Sequence, residues 1–432
     1  MTGNPQLQAR HIACCFSRVN PATRERVDSL CILAVQGIDI AAQLGAGVWT
    51  ARALGPEGNG DIVFAMSTVS MVAVLQLFGT GEVAIRMHAD NALDGRTVLG
   101  AQLWIWAVGS LIAATAAAVI GLIANVGTTP LVALAAAIAL LIANGLTATL
   151  NGVLLAHRLS RHDVWGMTLS RMLLVLGVAY GVRFGVVGVM AAHALAALVL
   201  LLARIVVIWR NLGMFTPKFD RAITRKLFVE GRHVGVGSLF GSVAARIDVV
   251  ALRSWSGAYE AGLYGACYRV LNGVGAITTA VSLALYARLA RAHGGRRDNE
   301  AERLFIALPI GISLCLVIAA LLASPLLDLL YGAEFQSAQT MFRVLLAAGV
   351  VQTANAFLHK GLVVSGRQRS LPFAQGAQAL VNVALNLLLV PHYGALGAAI
   401  ATLVCEFVVP IGHGFYFAVE AASLKGRVST SQ

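Results

Sequence analysis

The sequence predicts an all-α polytopic membrane protein, with twelve transmembrane helices in two six-helix bundles related by a pseudo-two-fold axis along the membrane normal. Three observations predict it. Apolar residues make up 58% of the 432 and charged residues only 12%, against roughly 25% charged in an ordinary soluble domain, and mean hydropathy is +0.77. Apolar runs of about 20 residues, the length that crosses roughly 30 Å of hydrocarbon at 1.5 Å per residue, recur along the whole chain. Segments of the second half repeat segments of the first, in the same order.

The first 27 residues hold four arginines and no apolar stretch, so the first span is expected to serve as its own insertion signal. The spans are read at 29–53, 61–86, 98–124, 130–156, 163–183, 185–209, 231–253, 260–287, 304–331, 337–359, 370–391 and 394–419. Their sidedness follows from Lys and Arg. With the N-terminus cytoplasmic, 24 of the 32 basic residues fall in cytoplasmic segments, and only Arg52, Arg183 and Arg253 face outside. Both termini are therefore expected on the cytoplasmic side of the membrane. The net charge of +12 is mostly this orientation signal. Nucleic-acid binding is excluded as its meaning, because the basic residues are dispersed among loops without aromatic partners.

Outside connections are very short, such as VGTTP at 126–130 and HYG at 392–394. The long connection at the chain midpoint is inside. There Phe219, Ile223 and Leu227 recur every four residues, while Arg221, Arg225 and Lys226 lie off the stripe. That pattern predicts an amphipathic linker helix, 211–230, on the cytoplasmic lipid interface, between an N-terminal bundle, 1–210, and a C-terminal bundle, 231–432.

The repeat has two offsets. FGVVGVMAAHALAALVL (184–200) aligns with YGALGAAIATLVCEFVV (393–409) at 209, pairing Gly185 and Gly188 with Gly394 and Gly397. At the same offset Gly152 and Arg158 match Gly361 and Arg367, while GPEGNG (55–60) meets GAYEAG (257–262) at 202. Six helices per half is an even number, so both halves enter the membrane the same way, as in transporters that rock two bundles around a midplane site.

The six cysteines, Cys14, Cys15, Cys31, Cys267, Cys315 and Cys405, form no CxxC pair and read as small buried thiols. His11 beside Cys14 and Cys15 is an incomplete metal set. No cofactor is expected, and no GxxxxGK[ST] loop exists, so neither is ATP.

RALGPEGNGDIVFAM follows the first span, and the seventh span with Asp248 is followed by GAYEAGLYGACYRV. YGAEFQSAQTMFRVLLAAGVVQTANAFLHKGLVVSGRQRS and LNLLLVPHYGALGAAIATLVCEF come later. Together these segments resemble the Wzx-type polysaccharide and O-antigen flippases of the MATE-like MOP superfamily. The resemblance covers nearly the whole chain. It implies a carrier of undecaprenyl-pyrophosphate-linked oligosaccharide across a bacterial inner membrane, with other polysaccharide-assembly membrane proteins as compatible partners. The chain departs from the lipid II flippase branch, which carries fourteen spans.

Charges inside spans cost roughly 3 kcal/mol each by insertion scales, so they should face a wet cavity or a partner. Arg171, Arg246, Arg269 and Arg343 are the deep cations and Asp39, Asp248 and Glu406 the deep acids, with Arg204 and Glu82 nearer the cytoplasmic ends. Guanidinium presents several N–H groups in a fixed fork and keeps its proton. The four arginines are therefore the candidate binders of an anionic headgroup. Asp39, Asp248 and Glu406 could titrate in an ion-coupling step or pair structurally.

Arg246 and Asp248, two residues apart, point about 200° apart on an ideal helix and cannot neutralise one another unless the helix breaks. Arg246 is expected to face the cavity, and Asp248 to meet Arg269. His193 and His359 read as packing histidines. Pro309 and Pro410 would kink their spans. Rival functions are a cation-coupled small-molecule exporter of the same fold, a membrane enzyme joining lipid-linked sugars, and a non-transporting scaffold. Short outside loops argue against the enzyme.

Overall fold

A computed structural model of the chain describes residues 21–89, 94–124, 127–157, 159–212, 216–292, 299–365 and 367–429. His11, Cys14, Cys15 and Arg158 lie outside the described residues.

The described residues are helical almost throughout. In order the helices are α1 (Pro21–Val72), α2 (Val74–Leu77), α3 (Thr80–Ala89), α4 (Gly95–Ile123), α5 (Thr128–Ala156), α6 (Ser160–Gly181) and α7 (Gly185–Leu212). There follow α8 (Arg221–Ala244), α9 (Ile247–Trp255), α10 (Gly257–Ala292), α11 (Asn299–Leu321), α12 (Ala323–Tyr331), α13 (Gln339–Val364) and α14 (Leu371–Ser429).

Eight helical stretches are long and apolar enough to cross a membrane. Three of them, Gly37–Leu77, Arg161–Leu212 and Leu371–Ala418, run to 41, 52 and 48 residues, about twice what one crossing needs. Each is interrupted at a glycine with positive φ: Gly55 at 67°, Gly185 at 65° and Gly394 at 53°. A side chain there would cost roughly 1 kcal/mol or more. Below, α1a and α1b are the arms before and after Gly55, and α14a and α14b those before and after Gly394.

With α8 and α9 counted as one bent span, the described residues hold nine candidate spans, three of which are long enough for two crossings each. Gly257 and Gly332, both at φ 90°, are two further glycines with positive φ between helices. These five glycines stand at connections that the sequence places outside. Two pairs of them, Gly55 with Gly257 and Gly185 with Gly394, are the pairs matched by the repeat.

Buried apolar residues form two large cores. One is drawn from residues 46–196, with Ala65, Leu134, Leu174 and Met190 among them. The other is drawn from 249–399 plus Ala51, around Leu252, Tyr264, Phe342 and Leu345. Large apolar side chains such as Leu111, Ile123, Leu176, Leu321 and Leu329 are exposed, as lipid-facing residues of a multi-pass protein must be.

The bundles meet symmetrically. A Cβ on Gly60 would overlap the carbonyl of Ala258, and one on Gly262 would overlap the carbonyl of Pro56. Residues 56 and 258, like 60 and 262, are 202 apart, so the contact is reciprocal, as a two-fold axis requires. Asn59 Nδ2 donates to the Gly262 carbonyl at 2.8 Å, and Arg253 Nη2 pairs with Asp61 Oδ1 at 3.1 Å. These contacts close the face that carries the glycine turns.

The linker differs from expectation. Asp220 accepts from the backbone N–H groups of Ala222 and Ile223 at 2.7 and 3.0 Å, so a helix starts at Arg221 and runs unbroken to Ala244. Ile223 and Leu227 of the predicted amphipathic stripe thus lie in the first turns of α8, and Phe219 lies before it. It packs on protein: Leu227 is fully buried with Ala84, Met87, Val98 and Ala101, and Ile223 rests against them. Phe219 is exposed and meets Trp104 edge-on at 5.5 Å. Pro309 and Pro410 lie inside α11 and α14b.

Candidate functional site

A cavity of about 380 Å³ lies between helices of the two halves of the chain, lined by α1a, α1b, α5, α6, α7, the α8–α9 joint and α10. Three of the four arginines singled out in the sequence line it: Arg171, Arg246 and Arg269. Around them are neutral hydrogen-bonding groups, among them Gln43, Ser67, Ser70, Asn144 and Asn272. No carboxylate is among the described lining residues.

Arg246 owes its place to a broken helix. α8 ends at Ala244 and α9 starts at Ile247, with a bend of 40° between them. Arg246 is the N-cap of α9, at φ −135° and ψ −9°. The run that placed two charges two residues apart is therefore the break itself, and the ideal-helix separation does not apply. Arg246 is half-buried, and its guanidinium makes no hydrogen bond or ion pair among the described residues. An unpaired guanidinium at this depth needs water or an anion.

Arg269 lies across the bundle interface. Its Nη1 donates to the Gly47 carbonyl at 2.6 Å and its Nη2 to Asn59 Oδ1 at 3.3 Å. Both partners are neutral, so its charge stays available to the cavity. Arg171 differs: it is paired with Asp39 of α1a, which also accepts from Gln43 Nε2 at 3.0 Å. The cavity thus carries two guanidinium groups without an ion-pair partner among the described residues, although the Asp248 carboxylate acts on Arg246 through space.

The remaining predicted residues lie elsewhere. Asp248 does not meet Arg269. Buried in the first turn of α9, it accepts from Tyr264 Oη at 2.5 Å and from the Val249 N–H at 2.8 Å, and Tyr264 also touches Thr402 Oγ1 at 3.1 Å. The break turns Asp248 into the C-terminal core while Arg246 stays in the cavity. Glu406 accepts from Asn355 Nδ2 at 2.9 Å, between α13 and α14b. Arg343 is exposed on α13, donates to the Ala320 carbonyl at 3.2 Å, and is not among the residues lining the cavity.

His193 lines the cavity with Nδ1 on the Val189 carbonyl at 3.0 Å, a satisfied packing histidine. His359 lies edge-on to His413 at 5.4 Å.

Sequence reasoning missed Gly47, Asn59, Asn144 and Asn272. The asparagines carried a signal, since a carboxamide inside an apolar span needs a partner as a charge does. Gly47 carried none. Also missed was Asp163, which holds buried Arg204 through Nε and Nη2 at 2.9 and 2.8 Å, while Arg204 Nη1 reaches the Thr147 carbonyl at 2.8 Å.

Two further cavities adjoin the first. One of about 530 Å³ shares Met66, Ser70, Leu140 and Asn144 with it and runs between α1b–α3, α5 and α8 to Glu82. The other, about 730 Å³, shares Asn272 and lies between α1a, α10 and α13.

The chain is similar to known proteins in both sequence and fold. A family model described as polysaccharide biosynthesis protein matches residues 27–293. The capsular polysaccharide biosynthesis protein CapF of Staphylococcus aureus is 23% identical over 197 residues, 45% of this chain and 50% of that protein. The probable low-salt glycan biosynthesis flippase Agl15 of Haloferax volcanii is 22% identical over 205 residues, 46% and 43% of the two chains. The chain thus spans about half the length of the curated relatives it matches.

Among solved structures, the lipid II flippase MurJ in an inward closed conformation superposes with a TM-score of 0.70 at 14% identity, over 90% of this chain and 87% of that one. An inward-facing multidrug resistance MATE family transporter of the MOP superfamily gives 0.66 at 18%, over 89% and 95%. The fold is MATE-like.

Proposed function

The chain belongs to the polysaccharide biosynthesis protein family, and from that premise we propose that it flips a polyprenyl-pyrophosphate-linked oligosaccharide across the membrane by alternating access. The observation that carries this reading is the cavity chemistry: Arg246 and Arg269 without acidic partners, amid neutral amides and hydroxyls, with no lining carboxylate. Such a site fits a ligand that is anionic at one end and hydroxyl-rich beside it. A pyrophosphate joined at both ends carries one negative charge on each phosphorus, and guanidinium groups replace its lost water with fixed donors. The similarity to the probable low-salt glycan biosynthesis flippase Agl15 and to the lipid II flippase MurJ supports the same substrate class.

Arg171 tempers the field through its pair with Asp39, and Arg343 stands outside the cavity. The protein makes and breaks no covalent bond in this scheme. The charge rule supports a cytoplasmic position for the face rich in Lys and Arg, with the glycine-turn face outside, and this reading takes the membrane to be a bacterial inner membrane. The closed turn face and the cavity reaching toward Glu82 then describe an inward-facing state. A cation exporter of this fold is less well served, since a cationic ligand would meet two unpaired guanidinium groups.

The test is reconstitution in vesicles with a labelled polyprenyl-pyrophosphate sugar. Wild-type protein is expected to exchange the label between leaflets faster than protein-free vesicles. No acceleration, with insertion verified, together with extrusion of a cationic dye, would replace flipping by export.

A further inference from the structure

The two outer cavities are symmetry copies. Every residue from Ser70 to Gly81 that lines the 530 Å³ cavity lands, on adding 202, on a residue of α10 that lines the 730 Å³ cavity. On the facing walls Asn144, Gly145 and Ala148 of α5 land, on adding 208, on Gln352, Thr353 and Ala356 of α13. Since the frames are copies, the differences between them carry chemistry.

Where one branch has Gly79 and Gly81, the other has Val281 and Leu283. Bare backbone in the first replaces branched hydrocarbon in the second. The third wall of the first branch is one face of α8, where Ser238 and Ser242 stand four residues apart. At its junction with the cationic cavity stand Ser70 and Asn144, both exposed. None of these four side chains makes a hydrogen bond among the described residues, so their donors and acceptors are free.

We propose that the 530 Å³ branch between α1b–α3, α5 and α8 is a carbohydrate subsite, in which Asn144 and Ser70 bind the sugar nearest the phosphates and Ser238 and Ser242 the unit beyond it. This deepens the flippase reading and rests on it. A sugar ring offers hydroxyls that both donate and accept, and a carboxamide or a hydroxyl answers both without charge. The volume lies within the range of small-molecule sites. Ser70 and Asn144 also line the arginine cavity, so a ligand with its phosphates at Arg246 places its first sugar beside them.

The experiment measures binding to the full-length protein in nanodiscs by microscale thermophoresis. Two probes are compared: polyprenyl pyrophosphate, and the same lipid carrying one N-acetylglucosamine. Wild type is expected to bind the sugar-bearing probe more tightly. Asn144→Ala and Ser70→Ala should each weaken that probe about 2- to 10-fold, the worth of one or two neutral hydrogen bonds. The bare lipid should bind as before, which also reports intact folding.

Arg246→Ala should weaken both probes. Equal affinity of wild type for the two probes overturns the subsite and leaves the flippase reading standing. So does a loss in Asn144→Ala that is the same for both. Failure of wild type to bind either probe overturns the subsite together with the reading beneath it.

Discussion

Arg269 reaches across the bundle interface to donate to the Gly47 carbonyl at 2.6 Å, and it fits only because residue 47 has no side chain. A Cβ at Gly47 would overlap the Arg269 guanidinium and its stem. Gly47→Ala should therefore push Arg269 out of place while α1a, for which alanine is the better helix former, stays folded. Translocation in vesicles is expected to fall by about tenfold or more, the range of a hydrogen bond to a charged group, with thermal stability little changed. Unchanged flipping in Gly47→Ala would show that the position of Arg269 does not matter.

The Gly60–Gly262 contact makes a second, conformational prediction. Gly60→Leu and Gly262→Leu should force the bundles apart at the glycine-turn face, because each side chain would meet backbone rather than a movable side chain. Overpacking of this kind costs typically about 1–3 kcal/mol. Spin labels on α1b and α10 near that face should report a longer distance by pulsed electron resonance than in wild type.

Arg204 and Asp163 make a buried pair at 2.8 Å that lines none of the three cavities. Asp163→Ala should cost about 3–5 kcal/mol, because it leaves a buried guanidinium uncompensated. The double variant Arg204→Met with Asp163→Leu should recover much of that loss. Detergent-solubilised thermal denaturation measures both, and substrate affinity of the double variant should match wild type.

His88 gives a pH dependence. It lies on α3, beyond the apolar stretch that ends at Leu77, with Nε2 on Gln102 Oε1 at 3.1 Å. Burial holds its pKa below the ordinary 6.5, and the neighbouring His157 adds to this, while the Gln102 contact opposes it. A depressed folded pKa means the unfolded chain binds the proton first. Stability is then full above pH 6.5 and declines as pH falls through and below it. Between pH 7.5 and 5.5 the wild type should lose thermal stability, and His88→Gln should lose less.

Much of the fold was legible because lipid leaves few choices. Span lengths gave an all-helical multi-pass chain, and Gly55, Gly185, Gly257 and Gly394, matched in the repeat, all have positive φ. The linker was misjudged because Phe219, Ile223 and Leu227 form the same stripe whether it covers lipid or packs on α3 and α4, and a period cannot name its partner. The site was half legible. A guanidinium in a span announces itself, so all four arginines stood out in the sequence, and Arg171, Arg246 and Arg269 line the cavity while Arg343 does not. Whether each is neutralised depends on neighbours far off in the chain. Asp39 meets Arg171 across α1a and α6, and Asp248 prefers Tyr264 because the helix breaks at Arg246. The break was foreseeable only as an exception to helix geometry.

The most direct measurement is the rate at which reconstituted protein flips a labelled polyprenyl-pyrophosphate sugar, compared among wild type, Arg246→Lys, Arg246→Ala and Arg343→Ala. If the unpaired guanidinium at the α8–α9 joint receives the phosphates, Arg246→Ala should fall at least tenfold. Arg246→Lys should keep part of the rate, through charge without the fork, and Arg343→Ala should match wild type. Wild-type flipping by Arg246→Ala, with correct insertion, would contradict it.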